Sequence, residues 1–178
     1  MFLSFLELDQ NLSAAAANLL PHNALFDLIF RFLSLQGLTI AIWIILLGMY
    51  FVWEEKRHHE FILYFVSGFG ITTFIVNIVL KNIFLRERPW VLSQILENYC
   101  PSDFSFPSGH AAGAFAGAVI FAHFDKKRKY LYYGMAVLIS YSRVYLHCHY
   151  LLDVIFGALI GYLISWIVIR YLTGRRKV

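Results

Sequence analysis

Three short strings in the sequence combine cationic, imidazole and carboxylate side chains, the groups that can hold and transfer a phosphate. Cations and backbone amides can bind phosphoryl oxygens, an imidazole can attack phosphorus or carry a proton, and a carboxylate can orient the imidazole. The residue types therefore indicate phosphate chemistry. The strings are Lys81 with Arg88-Pro89, then Pro107-Ser108-Gly109-His110, and then Ser142-Arg143 with His149 and Asp153.

The first string places two cations seven residues apart, which is about two helical turns. If the helix that carries Lys81 continues through Phe84, Lys81 and Arg88 project from one face near its end. Pro89 has no backbone N–H, so it should end or redirect that helix. Asn77, one turn before Lys81, is interpreted as an interhelical hydrogen-bonding residue.

The second string has the features of a helix start that could bind an anion. Pro107 and Ser108 suit the first positions of a helix, and Gly109 allows close backbone approach. The first-turn amides are unpaired donors at the positive end of the helix dipole, so a phosphate could dock there. His110 on this turn could then give a proton to the leaving oxygen.

The third string places an imidazole and a carboxylate four residues apart, at the start of the last long apolar run. On a helix, His149 and Asp153 share one face, so the carboxylate can hold one ring nitrogen while the other faces a substrate. A structural pair or a proton relay is the alternative, although ionisable residues inside membrane spans are usually functional. Arg143 precedes the tight return through Leu146–Cys148, and its planar fork suits phosphate oxygens.

The elements that must position these strings are membrane helices. The chain has 178 residues, of which 60% are hydrophobic and only 15% are charged, so it is too apolar for a soluble domain. Because backbone groups inside lipid must bond internally, we expect an all-α, polytopic transmembrane bundle of about five spans, forming one domain over residues 37–178. The predicted spans are Gly37–Trp53, Phe61–Leu80, Ala111–Phe124, Tyr130–Leu146 and Tyr150–Ile169.

Residues 1–36 are less uniformly apolar, and we expect them to form a separate N-terminal amphipathic segment at the membrane interface. Within Asn23–Gln36, the charged residues share one helical face and apolar residues cover the rest. The alternative is a sixth span over Phe2–Leu20, but its charged residues make membrane insertion costly.

The distribution of basic residues predicts the orientation of the chain. If the odd-numbered spans run inward, ten of the fifteen Lys and Arg residues are cytoplasmic. The positive-inside rule then puts the C-terminus in the cytoplasm and the three strings on the outer face. The basic run Lys126–Lys129 is interpreted as a topogenic anchor on anionic lipid.

One long polar segment, Trp90–Phe106, separates the first string from the second. Loops of this length in compact proteins are usually functional or mobile. We interpret this one as a lid or a headgroup-contacting surface over the mouth of the bundle, with a plain connector as the alternative.

The cysteines leave two further alternatives open. Cys100 and Cys148 are the only cysteines in the chain. They could form a disulfide in an oxidising compartment or remain free thiols. Together with His110, His147 and His149 they have the composition of a zinc site. We favour phosphate chemistry, because adjacent ligands splay apart on a helix and two of these histidines already belong to the strings.

Taken together, the three strings resemble the signature of the type 2 phosphatidic acid phosphatase superfamily, and the resemblance covers Phe61 to about Ile169. That family implies hydrolysis of a phosphomonoester or diphosphate through a covalent phosphohistidine, without metal or cofactor. On this basis His149 is the expected nucleophile, Asp153 orients it, and His110 is the general acid. The expected phosphate-binding residues are Lys81, Arg88, Ser108, Gly109 and Arg143.

The resemblance implies a bacterial inner-membrane lipid phosphatase whose active site faces the periplasm. Undecaprenyl diphosphate, phosphatidylglycerophosphate, phosphatidate and lipid A 1-phosphate are all candidate substrates, and the sequence does not choose among them. Two alternatives are a lipid phosphotransferase with the same phosphohistidine and a small transporter that uses Arg143, His149 and Asp153 as an ion path. Besides the lipid substrate and the bilayer, we expect no nucleic-acid partner, and we expect a monomer.

Overall fold

The computed structural model describes residues 2–34, 45, 48, 58–89 and 100–175, and all regular secondary structure within these ranges is helical. The expected all-α class is therefore confirmed for this part of the chain. The helices are α1 (Phe2–Ala17), α2 (Ala24–Ser34), α3 (α-helical His58–Phe74, π-helical Ile75–Leu80 and the last turn Lys81–Phe84), α4 (Gly109–Phe124), α5 (Lys129–Tyr145) and α6 (Leu151–Gly174). The short 3₁₀ turn Lys126–Arg128 joins α4 to α5.

Among the residues that the structure describes, two helices are long and apolar enough to cross a bilayer: His59–Phe84 of α3, with 26 residues, and α6, with 24 residues. The helix α4 is apolar but shorter, with 16 residues. Four of the five predicted spans lie largely on α3, α4, α5 and α6. The remaining one, Gly37–Trp53, falls outside the described residues apart from positions 45 and 48. The span count therefore stays a prediction.

Large apolar side chains cover the outer surfaces of α3 and α6. Val66, Ile78 and Ile83 on α3 and Ile155 and Ile167 on α6 are each at least 49% exposed. A soluble protein rarely exposes so many large apolar side chains together. These surfaces are suited to contact lipid chains, as expected for a transmembrane bundle.

The helix α4 is central and packs against α3, α5 and α6. Its sequence is rich in Ala and Gly, which lets neighbouring helices approach closely. A side-chain carbon added at Gly157 of α6 would lie 2.5 Å from the carbonyl oxygen of Ser108. One added at Gly161 would collide with the carbonyl group of Ala112. This pair of glycines therefore permits close helix packing within one chain.

The directions of the helices bring four helix ends to one side of the bundle. The C-terminal ends of α3 and α5 and the N-terminal ends of α4 and α6 meet there. Each of the three strings lies on or directly beside one of these ends. The fold therefore collects in space the residues that the sequence separates.

The N-terminal segment packs against the same bundle. The helix α1 contacts α5 and α6, and α2 contacts α5. Asn23 caps α2, because its Oδ1 accepts a hydrogen bond from Phe26 N at 3.0 Å. Asp9 on α1 and Ser34 on α2 are both buried. The interfacial position of residues 1–36 stays a prediction, but this segment clearly supplies polar groups to the interior.

Candidate active site

The C-terminal end of α3 carries Lys81, and the helix continues through Phe84 but does not reach Arg88. Its last residue is Phe84, and Leu85 adopts a left-handed conformation with φ 50°. Leu85 N donates to the carbonyl of Lys81 at 3.1 Å, which closes the last turn. The expectation that Pro89 ends this helix is therefore wrong. Arg88 reaches the site from the connection after the helix and not from the helical face of Lys81.

Lys81 and Arg88 are both buried, and both form ion pairs with the carboxylate of Asp103. Arg88 Nε also donates to the backbone oxygen of Asp103 at 2.6 Å. Burial raises the pKa of Asp103, but the hydrogen bonds and charges of the two cations outweigh burial and lower this pKa below its ordinary value. Near neutral pH, Asp103 is therefore a charged anion that occupies both cations.

His149 is 1% exposed and lies beside Arg88. The His149 Nε2 atom is 2.9 Å from Arg88 Nη1. The Nδ1 atom is 3.7 Å from Asp153 Oδ2 and 3.4 Å from the hydroxyl oxygen of Ser105. Burial lowers the pKa of His149 well below its ordinary value, and nearby cations, above all Arg88, lower it further. The ring is therefore neutral at neutral pH, the form in which it can attack an electrophile.

Asp153 is fully buried and has a separate set of partners for each carboxylate oxygen. Its Oδ2 accepts hydrogen bonds from Tyr150 N at 2.9 Å and from the hydroxyl of Ser105. Its Oδ1 accepts from Arg86 Nη1 at 2.7 Å. The oxygen that faces His149 is thus Oδ2, held in place by Ser105 and the backbone.

The start of α4 is joined to the other helix ends by direct contacts. Ser108 caps α4, with its hydroxyl accepting from Ala111 N at 3.4 Å, and its own N–H donates to the carbonyl of Asp153 at 2.9 Å. A side-chain carbon at Gly109 would collide with the amide oxygen of Asn77 on α3. Gly109 is therefore needed for the close approach of α3 and α4, and the interhelical hydrogen bond of Asn77 stays a prediction.

Arg143, near the end of α5, is fully buried. Its Nη1 donates to the backbone oxygen of Ser34 at 3.0 Å and to the Ser34 hydroxyl. Its Nε and Nη2 have no hydrogen-bond partner among the residues that the structure describes. Buried donors normally have a hydrogen-bond acceptor, so this half of the guanidinium is suited to bind an anion.

The structure brings the predicted site residues into one cluster. His110 is partly buried, and it lies within electrostatic range of Lys81, Arg88, Arg143 and His149. Three cations, two imidazoles and the buried carboxylate of Asp153 therefore surround one region at the end of the bundle. Such a cluster can bind a tetrahedral anion and offers both a nucleophile and a proton donor.

A disulfide joins Cys100 to Cys148, with Cα atoms 5.3 Å apart. It connects the segment before Asp103 to the turn before His149. Because the two sulfurs bond each other, they do not supply the thiolates that the zinc alternative would use. Residues 90–99, which form most of the predicted loop, lie outside the described part of the chain.

Sequence reasoning did not identify Asp103, Ser105, Arg86 or Asp9 as parts of this cluster. The available signal for Asp103 and Ser105 was their position in the polar segment directly before Pro107. Asp9 could have been found from its charge, because it lies within a largely apolar helix. Nothing in the spacing of Arg86 indicated its partners, because they lie 67 and 77 residues away.

The chain is similar to known proteins of one family. The family model described as the PAP2 superfamily matches residues 61–177. The chain is 36% identical over 134 residues to an undecaprenyl-diphosphatase of Sulfolobus acidocaldarius, and the match covers 69% of this chain and 65% of that protein. The chain therefore spans slightly less than two thirds of the length of this relative.

Two solved structures have a similar fold. LpxE of Aquifex aeolicus superposes with a TM-score of 0.66 at 27% identity, covering 92% of this chain and 96% of LpxE. A PAP2-type phosphatidylglycerolphosphate phosphatase of Bacillus subtilis gives a TM-score of 0.69 at 25% identity, covering 96% of this chain and 87% of the phosphatase. These likenesses extend beyond the matched family region to α1 and α2, because they cover nearly the whole chain.

Proposed function

The chain belongs to the PAP2 superfamily, and from this membership we propose that it is an integral membrane phosphatase that removes a terminal phosphate from a membrane lipid. The main support for the proposal is the buried guanidinium of Arg143. This guanidinium is fully buried, and two of its nitrogens have no partner in the described part of the chain. A buried charge is tolerated where an anion accepts its donors, and a phosphate has the oxygens to do so.

The cluster binds the phosphate by fixed charges and hydrogen bonds. In this proposal the substrate phosphate displaces the Asp103 carboxylate, because both anions use Lys81 and Arg88. Fixed donors stabilise the charge that develops on the phosphoryl oxygens without having to reorganise during the reaction. The phosphoryl oxygens are held by Lys81, Arg88, Arg143, the Ser108 hydroxyl and the amides of Gly109 and His110.

The proposed chemistry has two displacements at phosphorus. The His149 Nε2 lone pair forms a P–N bond while the bond between phosphorus and the leaving oxygen breaks. His110 gives its proton to that oxygen, so the lipid leaves as an alcohol or, from a diphosphate, as a monophosphate. His110 then takes a proton from water, which attacks phosphorus and releases inorganic phosphate from His149. Asp153 stabilises the positive charge on the ring throughout.

The substrate is proposed to be a lipid that enters from the bilayer. The exposed apolar surfaces of α3 and α6 support this route, because acyl or prenyl chains could remain in lipid beside them. The names of two similar proteins indicate undecaprenyl diphosphate and phosphatidylglycerophosphate as candidates, and phosphatidate and lipid A 1-phosphate present the same terminal phosphate. By the positive-inside rule, we place the site on the outer face of the cytoplasmic membrane.

The proposal is tested with the full chain in detergent and a panel of these four lipids. We expect release of inorganic phosphate from at least one lipid, equally with and without a chelator, and loss of release in His149→Ala. The matched control is His59→Ala, which removes an exposed imidazole at the opposite end of α3. Full activity in His149→Ala, or no release from any lipid, would contradict the proposal. Transfer to an added lipid alcohol without free phosphate would instead identify a phosphotransferase.

A further inference from the structure

Arg86 bridges two buried carboxylates that come from distant parts of the chain. Its Nη1 donates to Asp153 Oδ1 at 2.7 Å, and its Nη2 donates to Asp9 Oδ2 at 2.6 Å. The side chains of Asp9 and Asp153 are 1% and 0% exposed. The guanidinium also lies over the Tyr150 ring, 4.0 Å from its centre. A planar fork that binds two carboxylates fixes the positions of both.

The same part of α1 caps the helix on which Asp153 stands. Asp9 Oδ1 accepts from Leu152 N at 3.2 Å, and Ser13 Oγ accepts from Leu151 N at 2.7 Å. These amides belong to the first turn of α6, where backbone donors have no partner within the helix. Ser13 Oγ in turn donates to the backbone oxygen of Asp9 at 2.6 Å. The start of α6 is therefore held by α1.

Together with Ser105 and the Tyr150 amide, Arg86 also fixes which oxygen of Asp153 faces His149. Because Arg86 binds Oδ1, the other oxygen, Oδ2, is the one that lies 3.7 Å from His149 Nδ1. The carboxylate cannot rotate without breaking a charge-assisted hydrogen bond. The negative charge of Asp9 on the far side of Arg86 balances the guanidinium, which leaves more of the Asp153 charge to act on the imidazole.

We propose that Asp9 and Arg86 are positioning residues for the Asp153–His149 pair, so that α1 completes the catalytic site. The proposal rests on the proposed function of His149. Arg86 and Asp153 lie within the region that the family model matches, residues 61–177, whereas Asp9 lies outside it. The N-terminal segment thus acts on the chemistry as well as on packing.

The kinetic test uses the full chain in detergent with the variants Asp9→Asn, Arg86→Gln and Arg86→Lys. The matched control is Glu7→Gln, an exposed carboxylate on the same helix. Partners that orient a catalytic group typically contribute about 10- to 100-fold to activity, so we expect a fall in kcat of that size for Asp9→Asn and Arg86→Gln, with KM nearly unchanged. We expect Arg86→Lys to recover part of the loss and Glu7→Gln to match the wild type.

A double variant tests whether the two residues act through one chain of contacts. If Asp9 acts through Arg86, the loss in Asp9→Asn combined with Arg86→Gln should be smaller than the product of the two single losses. Asp9→Asn keeps the size of the side chain and an acceptor for Leu152 N, and thermal unfolding confirms that each variant is folded. Wild-type kcat in both Asp9→Asn and Arg86→Gln would overturn the proposal.

The second measurement does not depend on a substrate. NMR of isotope-labelled histidine reports the tautomer of His149, with its signals assigned by their loss in His149→Ala. We expect these signals to move in Asp9→Asn and Arg86→Gln but not in Glu7→Gln. A purely structural role of α1 would lower the unfolding temperature and leave the His149 signals in place, which would overturn the proposal. If the wild type hydrolyses no lipid of the panel, the proposed function fails while this measurement still decides the positioning role.

Discussion

The carboxylate of Asp103 forms ion pairs with the two cations of the first string, Lys81 and Arg88. Such an anion balances the charges of two buried cations. Its side chain is 48% exposed, so it has an open side toward which it can move when another anion arrives. Because any phosphate must compete with this carboxylate, Asp103 should weaken the binding of small anions to the cluster.

Replacement of Asp103 tests this competition. Asp103→Asn should tighten inhibition by inorganic phosphate about tenfold, since a hydrogen bond to a charged group contributes about 1.5–3 kcal/mol. The inhibition constant for inorganic phosphate is the measurement. Glu87→Gln is the control, because Glu87 is an exposed carboxylate next to Arg88. An unchanged or weaker inhibition in Asp103→Asn would show that Asp103 does not compete with phosphate.

The lowered pKa of His149 predicts how stability depends on pH. In the unfolded chain this ring takes a proton near its ordinary pKa of about 6.5, whereas burial and Arg88 keep it neutral in the folded protein. The unfolded state therefore binds the extra proton, and the free energy of unfolding falls as pH drops below about 6.5, until the folded pKa is reached. Thermal unfolding is measured in detergent at neutral and at acidic pH. The fall in unfolding temperature on acidification should be smaller for His149→Gln than for the wild type. An equal fall in unfolding temperature for the two proteins would show that the pKa of His149 is not lowered in the folded protein.

At the level of elements, the site depends on the close approach of α4 and α6. Gly161 of α6 faces the carbonyl of Ala112, and Gly157 faces that of Ser108. Across this interface, Ser108 N donates to the carbonyl of Asp153 at 2.9 Å. Close packing therefore sets the distance between the start of α4, where we propose that the phosphate binds, and Asp153 of α6, which we propose orients His149.

Gly161→Ala should separate these two helices. Overpacking typically costs about 1–3 kcal/mol of unfolding free energy, and we expect a lower unfolding temperature together with reduced phosphate release. Gly134→Ala on α5 is the matched control, because an added carbon there meets no atom within 4 Å. A Gly161→Ala variant as stable and active as Gly134→Ala would mean that the interface can expand without consequence.

For the whole molecule, the sequence predicted the helical class and the family, because apolar runs and string spacing are local properties of the chain. It did not predict that α3 ends before Arg88, because the residue that adopts the left-handed conformation after the last turn is Leu85 and not a glycine. It also missed the link from Asp153 through Arg86 to Asp9, because these three residues come from distant parts of the chain and meet only in the folded bundle. Local patterns thus identified the string residues, whereas the groups that we propose position them meet these residues only through long-range contacts.

The proposed orientation of the whole molecule is tested by labelling of single cysteines in intact bacterial cells. Glu87→Cys lies at the end of the bundle with the candidate site, and Lys127→Cys lies at the opposite end. Since the basic turn between α4 and α5 is expected in the cytoplasm, a membrane-impermeant thiol reagent should label Glu87→Cys but not Lys127→Cys. The reverse pattern would place the site in the cytoplasm.

The proposed transfer of phosphate to His149 is tested by detection of the phosphorylated enzyme. The wild type is mixed rapidly with the lipid phosphate that it hydrolyses, the reaction is stopped in alkali, which preserves phosphohistidine, and the peptides are examined by mass spectrometry. We expect a phosphoryl group on His149 that appears before free phosphate and is absent from His149→Ala. A phosphoryl group on another residue, or rapid phosphate release by His149→Ala, would contradict it.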